Sequence, residues 1–90
     1  MNYLVLYHFK NCPFCIKVCR FLNENNMNIE LKDIKEDPDS KQKLINQGGS
    51  SQVPCLHVTF SNGSDNWIYE SNEIIKYLTF IYSLKSKKIA

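Results

Sequence analysis

Hydrophobic and polar positions change their period along the chain, and each change predicts a new element of secondary structure. Residues 3–8 are predicted to form a strand, and residues 4–7 within it are apolar on both faces, as expected for a central strand that is covered on two sides. Over residues 14–25 the apolar positions recur at helical spacing and form one stripe: Cys15, Val18, Cys19 and Leu22. Alternation over residues 28–32 then predicts a second, half-buried strand.

A short helix is predicted after this second strand. Asp37 suits its N-cap, and Pro38 suits its first position because the missing N–H would have no partner there anyway. Leu44 and Ile45 supply its apolar side. The glycine pair at 48–49 ends the helix.

The last third of the chain predicts a β-hairpin and a long helix. Residues 55–60 alternate, and Asn62-Gly63 is the strongest short-range hairpin signal, so a fourth strand should return over residues 66–69. Ser71 is the expected N-cap of the last helix. The apolar stripe of this helix comprises Ile74, Ile75, Leu78, Ile81 and Tyr82. The order β-α-β-α-β-β-α predicts an α/β fold with parallel strands first and an antiparallel hairpin later.

Length, composition and charge favour one folded domain. The chain has 90 residues, of which 43% are hydrophobic and 22% charged, so it is ordered by composition but too short for a second core. Lys85, Lys87 and Lys88 leave 8 basic against 9 acidic groups over residues 1–84, so the net charge of +2 is an effect of the last residues. We expect a single domain at 1–84 and a basic tail at 85–90.

The same features disfavour several classes of function. The longest wholly apolar run, residues 4–7, falls far short of the roughly 18 residues that a membrane span needs, and no signal-peptide pattern precedes the first strand. Terminal lysines without aromatic neighbours are weak support for nucleic-acid binding. We expect a cytoplasmic monomer that binds neither nucleic acid nor membrane.

The sequence C-P-F-C at residues 12–15 lies where the first strand ends and the first helix begins. At a helix N-terminus the free N–H groups and the helix dipole favour an anion, and Lys10 and Lys17 add positive charge nearby. Cys12 is therefore expected to react as a thiolate. Two intervening residues bring Cys15 within disulfide reach, so we predict Cys12 as the nucleophile and Cys15 as the resolving thiol.

Metal binding is the main alternative for this cysteine motif. Cys19, Cys55 and His57 would complete a set of zinc ligands on paper. However, Cys19 lies in the apolar stripe, and free cysteines are common in protein cores, so we assign no metal. A structural disulfide is disfavoured in a reducing compartment. For Cys55 two interpretations stay open, a core thiol, which we favour, and a third redox sulfur.

Three stretches of the chain carry a resemblance to known families. They are C-P-F-C followed by Lys17, the segment G-G-S-S-Q-V-P at residues 48–54, and Tyr69-Glu70-Ser71 before the last helix. Together they make the sequence similar to the glutaredoxins and to the thioredoxin-like N-terminal domain of glutathione transferases. The resemblance implies a thioredoxin-like fold, in which three helices flank a mixed four-stranded sheet in the order 2-1-3-4.

The resemblance also implies a glutathione site beside the cysteines. Pro54 would follow a cis peptide bond, and the backbone of Val53 would pair with the peptide backbone of glutathione. Phe14 would line the groove, although an aromatic residue that opens a helix usually serves packing.

Charged and polar groups of the same site would hold the ends of glutathione. Ser71, as a helix cap, would hold the γ-glutamyl carboxylate, and Glu70 would bind the ammonium of the same residue. Lys10 would bind the opposite carboxylate. The alternatives are an ordinary cap for Ser71, a helix-start charge for Glu70 and a solvated side chain for Lys10.

The expected function is glutathione-dependent thiol–disulfide exchange, with glutathione as co-substrate and glutathionylated or disulfide-containing proteins as partners. An iron–sulfur or other metal-binding module is the alternative that Pro13 disfavours, because similar cluster binders usually carry a smaller residue there. A thioredoxin-type protein served by a reductase would have little use for a carboxylate site at Ser71. A transferase reaction is disfavoured because these 90 residues lack the helical second domain of the transferases.

Overall fold

The computed structural model describes residues 3–89, and the surroundings of the side chains over residues 3–81. Four strands form one sheet in the order β2-β1-β3-β4, and three helices flank it, as predicted. The elements are β1 (Tyr3–His8), α1 (Pro13–Glu24), β2 (Glu30–Asp33), α2 (Pro38–Lys43), β3 (Cys55–Thr59), β4 (Asp65–Tyr69) and α3 (Ser71–Ile89). This is the thioredoxin-like topology.

The sheet is mixed, because β1 has neighbours of opposite direction on its two sides. It pairs in parallel with β2, with Leu6 opposite Leu31, and antiparallel with β3, with Leu6 opposite Leu56. β3 in turn pairs antiparallel with β4, with Cys55 opposite Tyr69. The register therefore places the start of β3, the end of β4 and the end of β1 at one end of the sheet.

Both faces of the sheet are covered, as the two-sided apolar pattern of β1 predicts. The buried residues between the sheet and the helices α1 and α3 are Leu6, Val18, Leu22, Leu56, Val58, Ile74 and Leu78. Those of the opposite face, toward α2, are Val5, Tyr7, Ile34, Leu44 and Cys55. This packing holds the N-termini of α1 and α3 beside the same end of the sheet.

Element boundaries differ from the predicted ones at two places in the middle of the chain. β2 is displaced toward its C-terminal end and covers Glu30–Asp33. α2 begins at the predicted Asp37 cap, whose carboxylate accepts the N–H of Asp39, but its last turn is π-helical over Leu44–Gly48. Gly49 ends this turn with a left-handed φ of 91°, as the predicted glycine stop requires.

The predicted capping role of Ser71 is wrong. Ser71 is the first residue of α3, and the carbonyl of Glu70 accepts the N–H of Ile74 over 3.0 Å, so Glu70 occupies the cap position. The physical reason is the length of the connection, since only Glu70 separates β4 from α3. That single residue makes the turn, with a left-handed φ of 74°.

The last helix continues to Ile89, beyond the predicted domain boundary after residue 84. Side chains from residue 82 onward, including Tyr82 of the predicted stripe and the lysines of the predicted tail, lie outside the described residues. The division into 1–84 and 85–90 stays a prediction. Over the part of the chain that the structure describes, no helix is both long and apolar enough to cross a membrane.

Candidate active site

The two cysteines of the C-P-F-C motif lie at the N-terminus of α1. Cys12 occupies the N-cap position with an extended backbone, and Pro13 takes the first helical position. The carbonyl of Cys12 accepts the N–H of Ile16 over 2.9 Å, while its own N–H donates to the carbonyl of Phe9. The Cys12 sulfur thus lies where the free N–H groups of the first turn and the helix dipole favour negative charge.

Cys12 and Cys15 differ in exposure. Cys12 is 8% exposed, whereas Cys15, one turn into the helix, is 1% exposed. Burial, with the neighbouring Cys12 thiol acting in the same direction, raises the pKa of Cys15 to about 12. Cys15 therefore keeps its proton at neutral pH.

A cleft of about 170 Å³ adjoins this end of α1. Its lining residues are Phe14, Lys17, Gln52, Val53, Pro54, Glu70, Ser71 and Asn72. Five of the predicted glutathione-binding residues are among them: Phe14, Val53, Pro54, Glu70 and Ser71. The Val53–Pro54 peptide bond is cis. The tertiary fold thus brings three distant stretches of sequence to one cleft.

The walls of the cleft have distinct electrostatic character. Ser71 is buried at the first position of α3, so the free N–H groups of that helix face the end of the cleft where Glu70 turns the chain. Across the cleft, the ammonium of Lys17 donates a hydrogen bond of 2.6 Å to the side-chain oxygen of Asn72. Phe14 is 62% exposed and provides an open aromatic surface. The cleft thus contains the Glu70 carboxylate, the Lys17 ammonium and a helix N-terminus.

Lys10 is the predicted site residue that the structure places elsewhere. Its ammonium pairs with the carboxylate of Glu36 over 3.0 Å, and both side chains are exposed. It lines a separate cavity of about 440 Å³ on the other side of α1, which also reaches Cys15 and Cys19. The predicted role of Lys10 in binding a carboxylate stays a prediction.

The remaining cysteines and histidines lie in packed surroundings. Cys55 is fully buried, and burial raises its pKa to about 12, as expected for a core thiol. Burial likewise raises the pKa of the half-buried Cys19 thiol. His57 stacks on Trp67 and pairs with Asp65 over 2.8 Å. Within residues 3–81, no group of three or more acidic, cysteine or histidine side chains is arranged to hold a metal ion.

Comparison with known proteins decides the family. The glutaredoxin family model matches residues 4–59, a stretch that contains Cys12, Cys15 and Pro54. The chain belongs to the glutaredoxin family. The chain is 36% identical over 87 residues to prostaglandin E synthase 2 of Danio rerio, an alignment that takes in 97% of this chain and 21% of the synthase. The chain thus spans about a fifth of the length of that curated relative.

Solved structures share the fold of this chain. The glutaredoxin of Archaeoglobus fulgidus matches with a TM-score of 0.62 at 19% identity, over 84% of this chain and 85% of that chain. Maleylacetoacetate isomerase of Anaeromyxobacter dehalogenans, with glutathione bound in its active site, matches with a TM-score of 0.69 at 20% identity. That match covers 91% of this chain and 38% of the isomerase. These similarities confirm the predicted thioredoxin-like fold.

Three of the residues that line the cleft were not predicted from the sequence: Lys17, Gln52 and Asn72. Each is a near neighbour in sequence of a predicted site residue. Lys17 lies on the turn of α1 that follows Phe14, Gln52 precedes Val53, and Asn72 follows Ser71. Their closeness in sequence to predicted site residues could have indicated them. Only the tertiary contact between Lys17 and Asn72 shows that the first and last helices close the cleft together.

Proposed function

We propose that this protein is a glutathione-dependent thiol–disulfide oxidoreductase that reduces glutathione mixed disulfides and protein disulfides. One observation carries the proposal. The Cys12 sulfur lies at the N-terminus of α1 with the protonated thiol of Cys15 beneath it, beside a cleft that contains the cis-proline segment. A helix N-terminus favours an anion, and the nucleophile of disulfide exchange is a thiolate.

The charges of the cleft support glutathione as the co-substrate. Glutathione carries two carboxylates and one ammonium. We propose that the N–H groups at Ser71 and the ammonium of Lys17 hold the γ-glutamyl carboxylate, while Glu70 binds the adjacent ammonium. The backbone of Val53 would pair with the peptide backbone of glutathione. An isomerase of the same fold holds glutathione in its active site, which supports glutathione as the co-substrate.

The proposed reaction proceeds by two exchanges. The Cys12 thiolate attacks the glutathione sulfur of a glutathionylated protein, so a Cys12–glutathione disulfide forms and the protein leaves as a thiolate that takes a proton from water. The thiolate of a second glutathione then attacks the glutathione sulfur of this adduct. Glutathione disulfide leaves, and Cys12 returns to the thiolate. One reduced glutathione is thereby consumed for each protein thiol restored, and it leaves joined to the glutathione of the mixed disulfide as glutathione disulfide.

Cys15 offers a second route for protein disulfides. After losing its proton, its sulfur would attack Cys12 in a mixed disulfide, which closes the Cys12–Cys15 disulfide and releases the bound thiol. Because the pKa of Cys15 is raised to about 12 by burial, the Cys15 thiolate is scarce at neutral pH. We therefore propose that external glutathione resolves the adduct of Cys12 faster than Cys15 does. We also propose a cytoplasmic location, where glutathione keeps thiols reduced.

The test is reduction of a glutathionylated model protein with glutathione and glutathione reductase as the electron supply. We expect Cys12→Ser to lose activity by about a hundredfold or more, because the nucleophile is gone. Cys15→Ser should retain most of the activity, and Cys19→Ser on the same helix is the matched control. Full activity in Cys12→Ser would contradict the proposal. Efficient reduction by thioredoxin reductase, with none by glutathione, would indicate a thioredoxin-type protein instead.

A further inference from the structure

The hydroxyl of Tyr69 connects several segments of chain behind the cleft. It donates a hydrogen bond of 2.8 Å to the carbonyl oxygen of Gly48. The backbone N–H of Ser50 and the thiol of Cys55 adjoin the same hydroxyl. Burial, with the neighbouring Cys55 thiol acting in the same direction, raises the pKa of Tyr69, so the hydroxyl keeps its proton at neutral pH.

Gly48 is the residue that allows this close approach. A Cβ at position 48 would lie 2.6 Å from the hydroxyl oxygen of Tyr69 and 2.9 Å from the ring of Trp67. Both distances are shorter than van der Waals contact permits, so a side chain here would displace the tyrosine. The hydrogen bond between residues 48 and 69 therefore needs both the glycine at position 48 and the hydroxyl at position 69.

The segments near this hydroxyl lead into two walls of the proposed glutathione cleft. Cys55 directly follows the cis-proline segment, and Ser50 begins the stretch that leads through Gln52 into it. Tyr69 directly precedes Glu70, whose left-handed φ of 74° turns the chain into α3. Tyr69 itself is not among the residues that line the cleft. Its hydroxyl acts from behind, where its hydrogen bond joins Gly48, just before this stretch, to the end of β4.

We propose that Tyr69 is a positioning residue, whose hydroxyl anchors residues 48–52, the loop that carries Gln52 of the cleft and leads into Val53–Pro54, and thereby sets the affinity for glutathione. The proposal rests on the glutathione-dependent function proposed above. Without the hydroxyl, residues 48–52 lose this hydrogen bond to the end of β4, while the backbone pairing of Tyr69 with Cys55 still holds the Glu70 turn. The Cys12 sulfur is held by α1 instead, so its reactivity does not depend on Tyr69.

The test is Tyr69→Phe, with Tyr7→Phe as the matched control. Tyr7 is fully buried on the same face of the sheet, in the same cluster as Cys55, and its hydroxyl has no hydrogen-bond partner among the described residues. In Tyr69→Phe we expect the KM for a glutathionylated peptide to rise about fivefold with kcat unchanged, as for the loss of one hydrogen bond. The rate at which iodoacetamide alkylates Cys12 should equal that of the wild type. Tyr7→Phe should keep the wild-type KM.

Gly48→Ala provides a second variant that keeps the Tyr69 hydroxyl but forces it away. It should also raise KM at constant kcat and constant alkylation rate. Suppose that the wild type uses glutathione but both variants keep the wild-type KM; the positioning role is then wrong and the proposed function stands. The same conclusion follows if kcat and the alkylation rate of Cys12 fall together while KM stays constant. If the wild type shows no glutathione-dependent activity, both the function and the positioning role are overturned.

Discussion

Lys17 of α1 and Asn72 of α3 meet across the mouth of the cleft, where the lysine ammonium lies 2.6 Å from the side-chain oxygen of the asparagine. The lysine is the cation of the cleft lining, and it adjoins the helix N-terminus at Ser71. Lys17→Met should therefore weaken glutathione binding about three- to tenfold, because one charge-assisted contact to a carboxylate is lost. The readout is KM for a glutathionylated peptide, measured at low and at high ionic strength.

Lys76→Met is the matched control for this lysine. Lys76 is exposed on α3 and pairs only weakly, over 3.6 Å, with Glu73 of its own helix. Its loss changes the net charge by the same amount but should leave KM unchanged. An equal rise of KM in both variants would indicate a general charge effect, and the local role of Lys17 would then be wrong. The difference should shrink at high ionic strength, since salt screens exposed charges.

Substitution of Lys10 tests whether this residue binds a carboxylate of glutathione, as the family resemblance implies. In the structure it pairs with Glu36 outside the cleft. If Lys10 binds the second carboxylate of glutathione, it must leave Glu36, so Glu36→Gln should lower KM about twofold and Lys10→Met should raise it. We expect both changes to be smaller than that of Lys17→Met. An unchanged KM in both variants would show that Lys10 is a surface residue that does not bind glutathione.

Alkaline pH should destabilise the fold through its buried thiols. The pKa of Cys55 rises from 9.0 to about 12 because the thiol is buried, and that of Cys15 rises to about 12 for the same reason. The folded state thus holds protons that the unfolded state releases above pH 9. Stability is complete below that pH and falls by about 1.4 kcal/mol per pH unit for each thiol as the pH approaches 12.

Cys55→Ala isolates one of these two thiols. Its stability should be lower than that of the wild type at neutral pH, because a small cavity forms, but it should decline less steeply above pH 9. The measurement is the free energy of unfolding in urea at several pH values. Identical slopes for the variant and the wild type would show that the Cys55 thiol does not remain protonated in the folded protein.

Gly48→Ala should destabilise the protein by about 1–3 kcal/mol, the usual cost of inserting a methyl group into a packed site. The added Cβ would meet the Tyr69 hydroxyl at 2.6 Å. In a Tyr69→Phe background that clash is relieved while the 2.9 Å approach to the Trp67 ring remains, so the cost of Gly48→Ala should be smaller there but not abolished. Gly63→Ala is the comparison, since a Cβ at Gly63 has open space and its cost comes from a φ of 92°. That cost should not depend on Tyr69.

Sequence patterns predicted the elements well wherever local physics decides them. The helical spacing from Cys15 onward, the Asp37 cap and the Asn62-Gly63 turn each depend on residues close in sequence, and each element formed where expected. The prediction for Ser71 was wrong because the length of the β4–α3 connection, not the capping preference of serine, decides which residue precedes the helix. The single residue available was Glu70.

The sequence by itself determined the order of the elements, the position of Cys12 at a helix N-terminus and the family, because each follows from local spacing or from contiguous motifs. Only the tertiary structure decided which side chains share the cleft. It brought Lys17 to Asn72, left Lys10 with Glu36, and placed the Tyr69 hydroxyl behind both walls. These contacts join residues far apart in the chain, so they depend on how the helices pack on the sheet, which no local pattern encodes.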